Sequence, residues 1–441
     1  MIAALLRIEV RRSPALWLLA LMPGMLALSP IARHLTPVAL WTDRSTDLQS
    51  SLQGLGPFVA GLAAWVASRE RRHGVEELVG TTARPSWARK LAGCGATIAW
   101  ALVVYAAMAA AVLGVTAVQA TWGGPVAGPP LVGLAALAAC AAASFAVGDL
   151  LPSRFTAPLV AVVVFGLQSA AMTAATEGHF ALGYLSFIYP SIGLAASAWY
   201  QVRPDLSEVQ GAWLIGLAVL SVGVLVFRAS RRAGVPLMAG GGLLAAASAA
   251  LIATSTTDSQ GVIVPLLHNS ASDRAVPYTP VCRQGAVSVC VHPAYSGELD
   301  QLDGLVARLV GPVAGLPGAP TRAEQRPSGQ GVDSGVLIVP AEALHGATDP
   351  NARMMATQIA LGLVIDSLAA PEHGMTAAQQ VIARYLLEQS GEPFDDLSLR
   401  APTVVSAERH FEALPASERQ SWLATNYAAL QRGEVSLEQM P

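Results

Sequence analysis

The chain has 441 residues, 53% of them hydrophobic and only 13% charged, with a formal net charge of −3 at pH 7. A chain of this length with so little polar surface cannot be wholly water-soluble, and its near-neutral, slightly acidic balance offers no basic surface for nucleic acid. Long charge-free runs fill the stretch up to Thr254, whereas residues 256–441 have the composition of a globular domain, so two regions of different character are expected.

At the N-terminus, Ile2, Leu5, Leu6 and Val10 share one helical face with Arg7 and Arg11 opposite, and Arg12 follows. This pattern predicts a helix lying flat on the cytoplasmic membrane surface rather than a cleaved leader, because no small-residue cleavage site precedes the charged loop at Trp41–Asp47. Seven segments then have the apolar length of a membrane span: Pro14–Ala32, Leu52–Ala67, Leu91–Val118, Leu131–Val147, Ala157–Ala175, Gly211–Phe227 and Val235–Ala253. With the N-terminus inside, the cytoplasmic side receives Arg7, Arg11, Arg12, Arg69, Arg71, Arg72, Arg84, Arg89, Lys90, Arg154, Arg228, Arg231 and Arg232. The outer loops keep only Arg33, Arg44 and Arg203, which is the asymmetry that sets orientation. An odd number of spans places the C-terminal domain outside the cell.

Between the fifth and sixth spans, residues 178–201 are apolar and aromatic but broken by Gly183, Pro190 and Gly193. They read as a re-entrant or interfacial segment with Tyr184, Tyr189, Trp199 and Tyr200 at headgroup depth. The triple glycine Gly240–Gly242 in the last span suits close packing against another helix. Within the spans, Gln168 is among the few polar side chains larger than serine or threonine, which argues against a proton- or ion-coupled carrier. No phosphate-binding loop of the Gly-x-x-x-x-Gly-Lys-Ser/Thr type occurs.

The sizeable cytoplasmic segment is Ser68–Lys90, in which a polar helix is expected to end near Gly80 and Thr81, before Arg84 and Pro85. Here the chain resembles the ABC-2 type permeases, the membrane subunits of many bacterial exporters. The residues that carry the likeness are Glu70, Gly74, Glu77, Leu78, Thr82, Pro85 and Ser86. The resemblance implies a six-helix bundle with residues 1–234, a seventh helix at 235–255 as an addition, and an outer α+β domain at 256–441. It implies an ATPase-coupling site at Glu70, His73, Gly74, Glu76, Glu77, Leu78, Arg84 and Pro85, joined by the N-terminal helix. The partners implied are a nucleotide-binding subunit that holds ATP and magnesium, a second permease chain, identical or not, and the lipid bilayer. This chain itself is expected to bind no cofactor, and the function implied is outward movement of an amphipathic, peptide or lipidic substrate across the plasma membrane. The competing readings are a membrane-anchored binding scaffold and a membrane-anchored peptidase.

In the outer domain a strand hairpin is expected through Val276–Val291, with alternation over Ala286–Val291 and a turn at Gln284 and Gly285. Cys282 and Cys290 lie close enough in sequence to bond across it, and an outside location permits the bond. Gly335–Val339 is a second strand candidate, Pro317–Gly331 a Pro/Gly-rich loop, and helices follow at Ser296–Val313, Asn351–Ala369, Thr376–Gln389 and Ser406–Gln431. The order weakly resembles a zinc-peptidase layout, but the helix at the metal position has no His-Glu-x-x-His, and His268, His292, His345, His373 and His410 lack ligand spacing. Neither a catalytic residue nor a metal site is expected.

Overall fold

A computed structural model describes residues 2–16, 18, 38–72, 74, 86–176, 198–201, 204–228, 230–257, 263–265, 274–326, 335–340, 349–365, 375–392 and 398–441. These fall into two compact units. The first is helical: α1 (Ile2–Arg12), α2 (Trp41–Ser50), α3 (Leu52–Ala67), α4 (Arg69–Arg72), α5 (Ser86–Gln119), α6 (Gly128–Leu150), α7 (Thr156–Thr176), α8 (Pro204–Phe227) and α9 (Arg231–Ile252). Four of these, α5, α6, α8 and α9, are long and apolar enough to cross a membrane, and α7 contributes a shorter apolar helix. The protein is therefore a polytopic helical membrane protein. Helix α3 has the bounds expected of the second span, while most of the first expected span lies outside the described residues.

Small residues set the packing of this unit. A Cβ on Gly241 of α9 would stand 2.4 Å from the Leu220 backbone nitrogen of α8, and one on Gly216 of α8 would stand 2.6 Å from the Ala245 nitrogen. Backbone therefore meets backbone along α8 and α9, the contact expected of the triple glycine, although it is Gly241 alone of the three that makes it. The same device joins α6 to α3, where a Cβ on Gly148 would lie 2.5 Å from the Ala64 carbonyl oxygen. The remaining faces carry exposed Phe58, Val162, Phe165, Leu243 and Leu251, as a lipid-facing surface requires. Two short ribbons complete the unit: β1 (Tyr200–Gln201) with β4 (Arg274–Ala275), and β2 (Ser255–Thr257) with β3 (Ile263–Pro265), both antiparallel.

Residues 41–47, expected as a charged outer loop, instead open α2, which is buried along one side. Arg44 is only 2% exposed, and Ser45, Thr46 and Gln49 are buried with it. Burial pulls the Arg44 guanidinium below its ordinary range, and the carboxylates of Asp47 and Asp43 oppose that shift. A polar helix survives here because its charges offset one another.

The second unit comprises Pro277–Pro441 with two short segments, Thr36–Ala39 and Gln119–Gly123. Its sheet runs β5 (Val281–Arg283), β6 (Ser288–Val291), β7 (Arg322–Arg326), β8 (Val336–Pro340), antiparallel between the first two and parallel thereafter. Helix α10 (Leu299–Val310) supplies the crossover between β6 and β7. It buries Leu302, Leu305, Val306 and Leu309, the i, i+3, i+4, i+7 stripe of an amphipathic helix. The helical half is α11 (Asp349–Val364), α12 (Ala377–Ser390), α13 (Pro402–Ala413) and α14 (Ala416–Gln431).

Thr376 and Gln379 form a reciprocal capping box at the start of α12, and Gly391, with φ of 68°, closes its end. The Gln379 Nε2 also donates to the Val364 and Leu430 carbonyls, so one buried amide ties the ends of α11 and α14 to α12. Strand β7 occupies the expected Pro/Gly-rich loop. Its sequence, Arg-Ala-Glu-Gln-Arg, hides the strand because its inward face is only Ala323 and Gln325.

Candidate functional site

One end of the bundle holds a cluster of charges. Asp149, the penultimate residue of α6, is 5% exposed and lies 2.5 Å from Lys90 Nζ near the start of α5 and 3.3 Å from Arg228 Nη1 just past α8. The Arg228 Nη1 also donates to the Asp149 carbonyl oxygen at 3.1 Å. One buried carboxylate thus joins three helix ends. Beside it Arg89 Nε stands 3.7 Å from Glu70 Oε1, and Arg69 Nη2 stands 3.5 Å from Glu9 Oε2, which brings in α4 and α1. Glu9, Arg69, Glu70, Arg71, Arg89, Lys90 and Asp149 line a single small pocket with Phe145 at its apolar edge.

Local structure explains the placement. Helix α1 is held by the Trp100 Nε1, which donates to the Val10 carbonyl oxygen at 2.7 Å, and by Leu6, which packs against the bare backbone of Gly95. Arg7 and Arg11 are exposed on the opposite side of α1, as the sequence pattern requires; the Arg12 side chain lies outside the described residues. The Arg72 guanidinium folds back 3.5 Å above the Trp65 ring and donates to the Trp65 carbonyl oxygen at 2.8 Å, closing the last turn of α3. Gly74 follows with φ of +65°, a left-handed residue that closes this turn, while the stretch up to Gly80 and Thr81 where the polar helix is expected to end lies outside the described residues.

Of the coupling residues expected from the sequence, Glu70 belongs to this cluster and Gly74 closes the turn after α4. His73, Glu76, Glu77, Leu78, Arg84 and Pro85 lie outside the described residues, as do Tyr184, Tyr189 and Pro190 of the re-entrant segment. Tyr200 forms the short β1 strand, and Trp199 before it is 4% exposed, packed within protein. Asp149 was not singled out by sequence reasoning, although a lone carboxylate closing a long apolar run is a legible signal.

The second unit holds a different cluster. Cys282 and Cys290 face one another across the β5/β6 pair and form a disulfide, with Cα atoms 4.1 Å apart. His292 is fully buried, 4.4 Å between ring centroids from both Trp122 and Tyr278. Its Nδ1 accepts from the Ala294 backbone N–H, its backbone N–H donates to Gln325 Oε1 at 3.0 Å, and burial pushes its imidazole down to about 4. Thr121 adds hydrogen bonds to the Pro293 and Ala294 carbonyls, so residues 119–123 belong to the domain through this histidine corner. Glu408, 2% exposed, pairs with Arg384 between α13 and α12. Among the described residues no group of three His, Cys, Asp or Glu side chains is arranged to hold a metal ion.

No protein-family model, no curated protein and no solved structure matches this chain.

Proposed function

We propose that this chain is the membrane subunit of an ATP-driven exporter, built as an ABC-2 type bundle with an added outer domain. Its ATPase, carrying ATP and magnesium, is a separate chain that grips residues 70–85 and the N-terminal helix. The observation that carries the reading is the charged cluster through which Glu9, Arg69, Glu70, Arg89, Lys90, Asp149 and Arg228 join five helices or their ends at one face of the bundle. A push on α4 or α1 reaches α5, α6 and α8 through these contacts, which is the rigid linkage a motor needs. The segment expected to meet the motor emerges from that face.

The proposed orientation draws support from the way the outer segments group. Thr36–Ala39, Gln119–Gly123 and Pro277–Pro441, all assigned outside by counting arginines, share one compact unit. The ribbon of Tyr200–Gln201 with Arg274–Ala275 joins two further segments assigned to that side. The disulfide is in keeping with an oxidising compartment. We assign no substrate beyond the amphipathic, peptide or lipidic class, and we place two permease chains in the working assembly.

Affinity purification of the full chain from crosslinked membranes tests the reading. A copurifying chain that hydrolyses ATP is expected, lost with Glu70→Arg or Glu77→Arg and kept with Glu208→Arg at the other end of α8. Recovery of no nucleotide-hydrolysing partner, or equal loss with all three variants, overturns it.

A further inference from the structure

Two turns of the bundle carry arginines that the charged cluster does not use. Arg154 lies between α6 and α7, and Arg231 and Arg232 open α9 just after α8; all three are exposed. Asp149 near the end of α6 pairs with Arg228 just past α8, so both turns stand at the same end of the bundle. The carboxylates described there, Glu9, Glu70 and Asp149, are each engaged by Arg69, Arg89, Lys90 or Arg228. Arg154, Arg231 and Arg232 have no acidic partner among the described residues.

These arginines stand where polar surface gives way to apolar surface. The Arg154 guanidinium lies 4.9 Å from the centre of the Phe155 ring, and that of Arg231 lies 5.8 Å from the centre of Phe227. Beyond Phe155 the exposed face of α7 continues through Leu159 and Val162, and beyond Arg232 that of α9 continues through Val235 and Leu243. A Cβ on Gly234 would lie 2.3 Å from the Phe227 Cα, so a tight approach of α9 to α8 fixes where these guanidinium groups emerge. An arginine beside an aromatic ring at the head of a lipid-facing helix reaches the depth of lipid headgroups. At the opposite end the balance reverses: α2 and the start of α8 carry Asp43, Asp47, Asp205 and Glu208 against Arg44.

We infer that this end of the bundle binds anionic phospholipid, the phosphate gripped by Arg154 at one turn and by Arg231 with Arg232 at the other, and the acyl chains lying along the exposed faces of α7 and α9. Two features select that occupant. Guanidinium groups without carboxylates suit a phosphate, which the planar fork meets with paired hydrogen bonds. The apolar faces that continue from them suit acyl chains, which a soluble anion lacks. The inference goes beyond the exporter reading and does not depend on it, and it holds whichever side of the membrane this end faces.

The test is lipid titration of the delipidated full chain followed by native mass spectrometry, with phosphatidylglycerol and phosphatidylcholine of identical chains. Phosphatidylglycerol is expected to bind at least roughly fivefold more tightly, the gain of about one arginine near a membrane surface. Arg154→Gln, and Arg231→Gln together with Arg232→Gln, should each lower that preference, and the triple variant should bring the two lipids within about twofold of each other. Glu208→Gln, at the opposite end, should leave the preference as it is. Equal binding of the two lipids by the wild-type chain, an undiminished preference in the triple variant, or displacement of the lipid by a large excess of inorganic phosphate overturns the inference. Should the triple variant fail to fold, the two partial variants decide it by the same measure.

Discussion

Replacing Asp149 by asparagine keeps the size of the side chain and one acceptor oxygen but removes the charge on which Lys90 and Arg228 converge. Breaking a fully buried ion pair by deleting one partner costs about 3–5 kcal/mol, because the surviving charge is left in a poor solvent. Here the carboxylate is 5% exposed, yet the Lys90 and Arg228 side chains retain 25% and 37% of their exposure, so water offsets part of the loss. The expected cost is about 2 kcal/mol, which lowers the unfolding midpoint of the bundle by about 4–8 °C. Thermal unfolding in nanodiscs reads this directly, and a double-mutant cycle with Lys90→Gln isolates the pair: Asp149→Asn should cost about 1 kcal/mol less in the Lys90→Gln background. A midpoint lowered by under about 1 °C, or strictly additive single and double variants, would refute the view that Asp149 joins these helix ends.

Three further outcomes follow from the packing. Gly241→Leu, which must fit a side chain where even a Cβ would meet the Leu220 nitrogen at 2.4 Å, should destabilise the α8/α9 pair by about 1–3 kcal/mol, whereas Gly240→Ala, with nothing within 4 Å, should be neutral; equal melting of the two variants would count against backbone contact there. Converting Cys282 and Cys290 together to Ser and Ala should cost the second unit about 2–3 kcal/mol, and unfolding curves of the wild-type chain unaffected by dithiothreitol would oppose the crosslink's role. Because burial holds His292 near 4 when folded against 6.5 when free, the unfolded chain takes up its proton first as pH falls. Its contribution is complete above pH 6.5 and is lost toward pH 4 at no more than about 1.4 kcal/mol per pH unit, so the stability difference between wild type and His292→Gln should shrink across that window; a difference flat in pH would argue against a buried neutral imidazole.

Four of the seven expected spans, those of α5, α6, α8 and α9, were legible because a charge-free apolar run of that length in lipid forms a helix, whereas α3 and α7 are shorter and most of the first lies outside the described residues. The ends of the four were less legible. Helix α5 starts at Ser86 and α8 at Pro204, each running past its apolar core, α5 through the helix formers Arg89 and Lys90 and α8 through Glu208 and the first-turn acid Asp205, residues that hydropathy alone passes over. Helix α2 was hidden for the same reason, being polar in sequence and yet buried with Arg44 between two acidic neighbours. Strand β7 escaped because a central parallel strand is usually marked by Val, Ile and Leu, and this one turns only Ala323 and Gln325 inward. The Cys282–Cys290 bond was suggested by closeness in sequence and an outside location, but its register was not legible: a turn at Gln284 and Gly285 would set Cys282 opposite Val287, whereas the pairing of Arg283 with Val289 sets it opposite Cys290. The candidate site was readable as composition but not as geometry. The arginines near residues 69–90 and 228 mark one membrane face, whereas their convergence on Asp149 depends on how α5, α6 and α8 pack.

The orientation of the chain underlies the proposed function, and epitope tags placed after Gly74 and after Pro441 test it most directly. In intact cells exposed to protease, the tag at Pro441 should be cleaved and the tag at Gly74 protected until the membrane is opened. Protection of both tags, or cleavage at Gly74 alone, would contradict the account.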